Sequence, residues 1–157
     1  MSSDILNTFN EKLYECDQHV QKINTAKKHL HDIFPLTKDK YSVLKPVESS
    51  FIDQLVFRFS KLQDTLGEKV FPSILILSAE DVKRKTFIDI LNRLEELELL
   101  DKNKWLILRE TRNEIAHEYS ENQDEVISSL NDVFLKSDDT IQIYENIKLF
   151  CKEKFDI

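Results

Sequence analysis

The apolar positions of the first thirty-odd residues recur every three or four places: Ile5, Phe9, Leu13, Cys16, Val20, Ile23, Leu30 and Ile33, with Ala26 or Lys27 in the remaining slot. That spacing keeps one side of a helix apolar. Residues 1–34 are therefore expected to form a long N-terminal helix, or two nearly collinear ones, ending ahead of Pro35. The stretch PLTKDKYSVLKP, residues 35–46, breaks the pattern and reads as the longest irregular connection.

Beyond it the period returns. Ser50 followed by Asp53 resembles a capping box, and the helix it opens is expected to run to Leu66, with Gly67 as its C-terminal stop. FPSILILS has no partner run to pair with as a strand, so a helical turn after Pro72 is expected. Thr86 to Leu97 reads as a further amphipathic helix, and Asp101 or Asn103 as the cap of the next, near residues 103–119. Ser120 or Asn122 would start the last helix, marked by Val126, Leu130, Val133 or Phe134, Ile141, Tyr144, Ile147, Cys151 and Phe155, with a break expected near KSDDT. The sum is one all-α domain over residues 1–157, an up-and-down antiparallel bundle of four to five helices.

Composition narrows this picture. A chain of 157 residues, 41% apolar and 32% charged, can bury one core and stay well solvated. One glycine and three prolines are too few for a sheet protein, which spends such residues at every turn. The net charge of −7 argues against a broad basic face for nucleic acid or anionic lipid, though it leaves room for a small positive cleft. Cys16 falls on the first apolar stripe and reads as a packed thiol; with Cys151 it makes neither a zinc-type spacing nor a disulfide framework, and no metal or cofactor is expected. The first residues lack the basic and apolar regions of a secretory leader, and no apolar run reaches membrane-spanning length, so a cytoplasmic protein without membrane contact is expected.

One helix departs from its own pattern. In RETRNEIAHEYS, Arg109 to Ser120, the stripe Trp105, Leu108, Arg112, Ile115 and Tyr119 has a permanent cation at its centre. A buried unpaired guanidinium costs several kcal/mol, so such an arginine either meets a carboxylate or lines a polar cleft. Glu110, Glu114, Glu118 and carboxylates of other helices are the candidates for a pair. Arg112 and Tyr119 share a face within roughly 20°, whereas His117 lies roughly 140° from Arg112 around a straight helix. Bringing that arginine and histidine together takes the reach of the arginine, a helix end near His117, or a second copy of the helix across a symmetric interface. Arginine binds phosphate with two nitrogens, histidine exchanges protons near neutrality, and Asn113 can orient either partner.

The segment RNEIAHEY, Arg112 to Tyr119, matches the R-x4-H-x-Y signature of the HEPN-domain family. It resembles most the HepT-like RNase toxins of HEPN and minimal nucleotidyltransferase toxin–antitoxin pairs. LDKNKWLILRETRNEIAHEY is similar to the family's approach to the motif, and FRFSKLQDTLGEKVF to its preceding long helix, so the resemblance spans about Phe51 to Phe155. It implies a HEPN-like bundle that forms a homodimer, with two motifs facing one cleft, and metal-independent cleavage of RNA. Arg112 would hold the scissile phosphate, His117 act as general acid or base, and Asn113 orient the site. Tyr119 would be the hydroxyl to which a nucleotidyltransferase antitoxin attaches AMP. Arg109 is a candidate contact to RNA phosphate, or else a solvated arginine, and Lys83, Arg84 and Lys85 read as a solvated basic run. Two other readings stand beside the nuclease: a non-catalytic scaffold subunit of a nucleotidyltransferase, favoured by the acidic surface, and a helical dimer in which Arg112 is only an ion-pair residue.

Overall fold

In the computed structural model, residues 3–115 and 121–157 are described, and no β-strand occurs among them. Helix α1 spans Ser3–Leu30, and its stripe is buried at Phe9, Cys16, Ile23, Ala26 and Leu30. The slot left open between Ala26 and Lys27 is filled by both. Ala26 enters the core, and the Lys27 ammonium crosses to the Phe134 carbonyl oxygen at 2.6 Å and the Asp138 carboxylate at 2.8 Å.

The connection expected to be irregular holds a short helix, α2 (Lys38–Ser42), capped by the Thr37 hydroxyl. The next helix, α3 (Pro46–Thr65), starts four residues before Ser50, because Glu48 accepts the Lys45 N–H at 2.9 Å and Pro46 suits a first helical turn. Ser50 lies inside α3 and donates its hydroxyl to the Pro46 carbonyl oxygen.

Gly67 does not end this helix. The chain continues through a π-helical segment, Leu66–Val70, directly into α4 (Phe71–Leu77), with helical backbone at each junction. Leu66, Val70, Phe71, Ile74 and Leu75 are fully buried there, and that apolar gain outweighs the low helix propensity of one glycine.

Thr86 caps α5 (Phe87–Glu96): its hydroxyl accepts the Asp89 N–H at 3.1 Å while the Asp89 carboxylate accepts the Thr86 N–H at 3.0 Å. Asp101 caps α6 (Lys102–Ile115) by accepting the Lys104 N–H, and Asn122 caps α7 (Gln123–Phe155). The expected break at KSDDT is absent: α7 is continuous. Ser137 and Thr140 are buried there with their hydroxyls returned to the Phe134 and Lys136 carbonyl oxygens of the same helix, so neither is left unsatisfied.

The long rods α1, α3 and α7 pack on one another, and α6 lies against α7 and the end of α3. The short helices α4 and α5 close the side where α5 meets α6. The described residues thus make an all-helical bundle with more segments than the four or five expected.

Candidate functional site

The buried face of α6 carries Trp105, Leu108, Thr111 and Ile115, so Thr111 stands in the core position expected for Arg112. Thr111 and Arg112 straddle the line through Leu108 and Ile115 at roughly 50° to either side. Angle alone does not choose between them; desolvation does. The Thr111 hydroxyl satisfies itself on the Ile107 carbonyl oxygen at 3.1 Å and also accepts from Lys136, whereas a guanidinium there would need several partners.

Arg112 instead leans out, its side chain 29% exposed, toward the last turn of α3. There Asp64 accepts from Nε at 3.2 Å and from Nη2 at 3.1 Å, a two-pronged ion pair. Of the carboxylates considered, Glu110 and Glu114 are exposed and do not bridge to Arg112. Beside the pair, Gln63 is buried and donates to the Leu108 carbonyl oxygen at 2.9 Å, which locks α3 to α6 at this level.

Arg112, Asp64, Asn113 and Arg109 border a cavity of about 600 Å³ whose inner walls are Gly67, Phe87, Ile90 and Trp105. The caps of α5 and α6 set this wall, since Phe87 is the first residue of α5 and Trp105 sits in the first turn of α6. The Arg109 guanidinium lies over the Phe87 ring at 5.1 Å, and Trp105 meets Phe71 edge to face at 4.6 Å. A more open hollow of about 400 Å³ lies on the adjoining face of α6, also lined by Arg109 and Asn113. Arg109 makes no ion pair and Asn113 no hydrogen bond among the described residues.

The structure thus brings together Arg112, Asn113 and Arg109 of the residues expected from sequence. His117, Glu118 and Tyr119 lie outside the described residues. Lys83, Arg84 and Lys85 are exposed ahead of α5. The sequence reading missed Asp64, Gly67, Phe87 and Trp105 as parts of this site. A lone glycine inside an otherwise strong helical pattern was the one available signal, because such a glycine often marks a close approach.

Elsewhere, Cys16 and Cys151 are buried free thiols, each pushed up to about 12 by burial. Among the described residues no cluster of three metal-ligating side chains occurs, and no helix is long and apolar enough to cross a membrane. Compared with family models, curated proteins and solved structures, the chain matches none of them.

Proposed function

We propose that this chain is a metal-independent endoribonuclease of the HEPN type, a toxin working as a cytoplasmic homodimer and silenced by a nucleotidyltransferase antitoxin. The observation that carries the reading is the placement of Arg109, Arg112 and Asn113 together at one cavity mouth on α6. Arg112 and Asn113 open the R-N-x3-H-x-Y motif, and Arg109 stands three residues ahead of it.

A guanidinium has five N–H donors, and Asp64 accepts from two of its nitrogens, so the same arginine can hold a phosphate oxygen with the others. In the proposed reaction His117 takes the proton of a ribose 2′-OH, and the oxygen attacks the adjacent phosphorus. The new O–P bond closes a 2′,3′-cyclic phosphate as the bond to the 5′ oxygen breaks, and that oxygen takes up a proton. Arg112 offsets the negative charge that grows on the phosphate, and Asn113 orients the reacting groups. Transfer of AMP to Tyr119, with pyrophosphate leaving, would place bulk and negative charge beside the arginine.

One observation favours a second reading. Asp64 neutralises Arg112, and the chain is acidic overall, which suits a non-catalytic scaffold that docks a nucleotidyltransferase. Purified protein incubated with tRNA and mRNA in EDTA separates the two. Cleavage leaving cyclic-phosphate ends, lost in folded Arg112→Ala and His117→Ala, supports the nuclease. An inert, folded and unmodified protein that captures a nucleotidyltransferase supports the scaffold.

A further inference from the structure

We infer that the cavity beside Arg112 is a nucleobase seat, in which the ring stacks on the Arg109–Phe87 wall and its edge meets Asn113 and Glu68. The inference deepens the ribonuclease reading, on which it rests for taking the base to be that of an RNA nucleotide next to the scissile phosphate.

The volume of about 600 Å³ accommodates a base with its ribose and lies in the usual range for small-molecule sites. The wall holds a guanidinium carbon 5.1 Å over a phenyl ring, and planar groups of both kinds are where unstacked bases lie. At the rim, Asn113 offers an amide donor and acceptor. Glu68 is exposed and makes no ion pair among the described residues, so its carboxylate is ready to accept from an exocyclic amine.

Charge distinguishes a base from a bare anion. Arg109 and Arg112 are matched in number by Asp64 and Glu68 around the same cavity, so an uncharged ring is tolerated in its interior, away from the Arg112 nitrogens that Asp64 leaves free. The phosphate of the nucleotide is left to Arg112 at the mouth.

The floor of the cavity is rigidly packed. A Cβ at residue 67 would stand 3.3 Å from Trp105 Cζ2 and 3.7 Å from Phe87 Cζ, so the chain's only glycine lets both rings pack directly against the backbone and fixes them as the cavity wall. It does so within a π-helical segment, a distortion that often accompanies ligand sites. Trp105 is 2% exposed, and its indole Nε1 has no acceptor among the described residues. Cζ2 is bonded to the carbon that carries Nε1, so the orphaned N–H lies on the indole edge turned toward Gly67. Nε1 itself is sealed by this packing, so an occupant meets the indole ring and not its N–H.

Trp105 is the only tryptophan, so its fluorescence reports on this cavity alone. The full chain is titrated with the four nucleoside 5′-monophosphates, excited at the red edge of tryptophan absorption, with ribose 5-phosphate and inorganic phosphate as controls. A saturable change is expected with nucleotides and with neither control. Phe87→Ala is expected to weaken binding about tenfold, the worth of one stacking contact. Gly67→Val, which pushes Trp105 and Phe87 into the cavity, is expected to abolish it.

Circular dichroism checks each fold, and Glu68→Gln, at an exposed position, serves if Gly67→Val does not fold. It is expected to erase any preference for amino-bearing bases over UMP. No response to nucleotides, or an equal response to ribose 5-phosphate, overturns the seat. The two proposals fail separately: nucleotide binding without RNA cleavage removes the ribonuclease and keeps the seat, and cleavage without nucleotide binding does the reverse.

Discussion

Asp64 and Arg112, on α3 and α6, grip each other through two nitrogen–oxygen contacts of 3.2 and 3.1 Å. Both side chains keep about a third of their surface in water, 36% and 29%, so the pair is screened rather than sealed in the core. Geometry of this kind orients a guanidinium more than it stabilises a fold.

Arg112→Met is therefore expected to change folding stability by no more than about 1 kcal/mol, the range of partly exposed ion pairs. The same variant is expected to lose RNA cleavage entirely. Urea denaturation beside the cleavage assay checks this. A loss above about 3 kcal/mol would instead make Arg112 the keystone of a buried pair.

Asn131 ties the 35–46 connection to α7. Its Oδ1 accepts the Leu36 N–H at 2.7 Å and its Nδ2 donates to the Leu36 carbonyl oxygen at 3.0 Å. Asn131→Ala leaves both backbone groups seeking water beside the buried Leu36 and is expected to destabilise by about 2 kcal/mol. Faster amide exchange at Leu36, with α1 amides unchanged, would locate the loss in this connection.

Tyr144 is fully buried, with its hydroxyl 2.8 Å from the Leu13 carbonyl oxygen and 2.6 Å from Asp17 Oδ1, to which Lys148 also pairs at 3.0 Å. Burial and then the Asp17 carboxylate push the phenol well above its ordinary value. Tyr144→Phe removes the donor and leaves those oxygens under-satisfied. A loss of about 1 to 2 kcal/mol at neutral pH is expected in thermal or urea unfolding, and an unchanged midpoint would mean water replaces the hydroxyl.

Alkaline pH is expected to unfold the chain. The Cys16 and Cys151 thiols ionise at about 12 in the folded protein against 9.0 ordinarily, and Tyr144 is raised too. Above pH 9 the unfolded chain gives up protons that the native chain keeps, so stability is complete below that value and falls as pH rises toward 12. The slope is about 1.4 kcal/mol per pH unit for each thiol. Melting at pH 7 and pH 10.5 reads the effect. Replacing both cysteines by alanine lowers stability at pH 7 but flattens the dependence; an unchanged slope would assign it to other groups.

How far the site was legible can be read from α6. The motif, the helix around Arg112 and the need for a carboxylate or a polar cleft were all visible in residues 103–119. The identity of that carboxylate was not, because no periodicity marks Asp64 and several acids were equally available. The apolar stripe puts Arg112 in the core, and in the structure Thr111 takes that place. Two neighbours equally placed about the buried line are sorted by the cost of burying each, which depends on what faces them.

Local physics made the helices readable. Apolar spacing, the Thr86, Asp101 and Asn122 caps and the scarcity of glycine act within a few residues, so α1, α5, α6 and α7 follow from the sequence by itself. Only the tertiary structure decided that the helix passes through Gly67, that KSDDT stays helical, and that Gly67, Phe87, Trp105 and Arg109 enclose one cavity. Each of these depends on which helices become neighbours. Burial of Val70, Phe71 and Ile74 draws the chain past a glycine that would otherwise end a helix, and the close approach of Trp105 makes that glycine necessary.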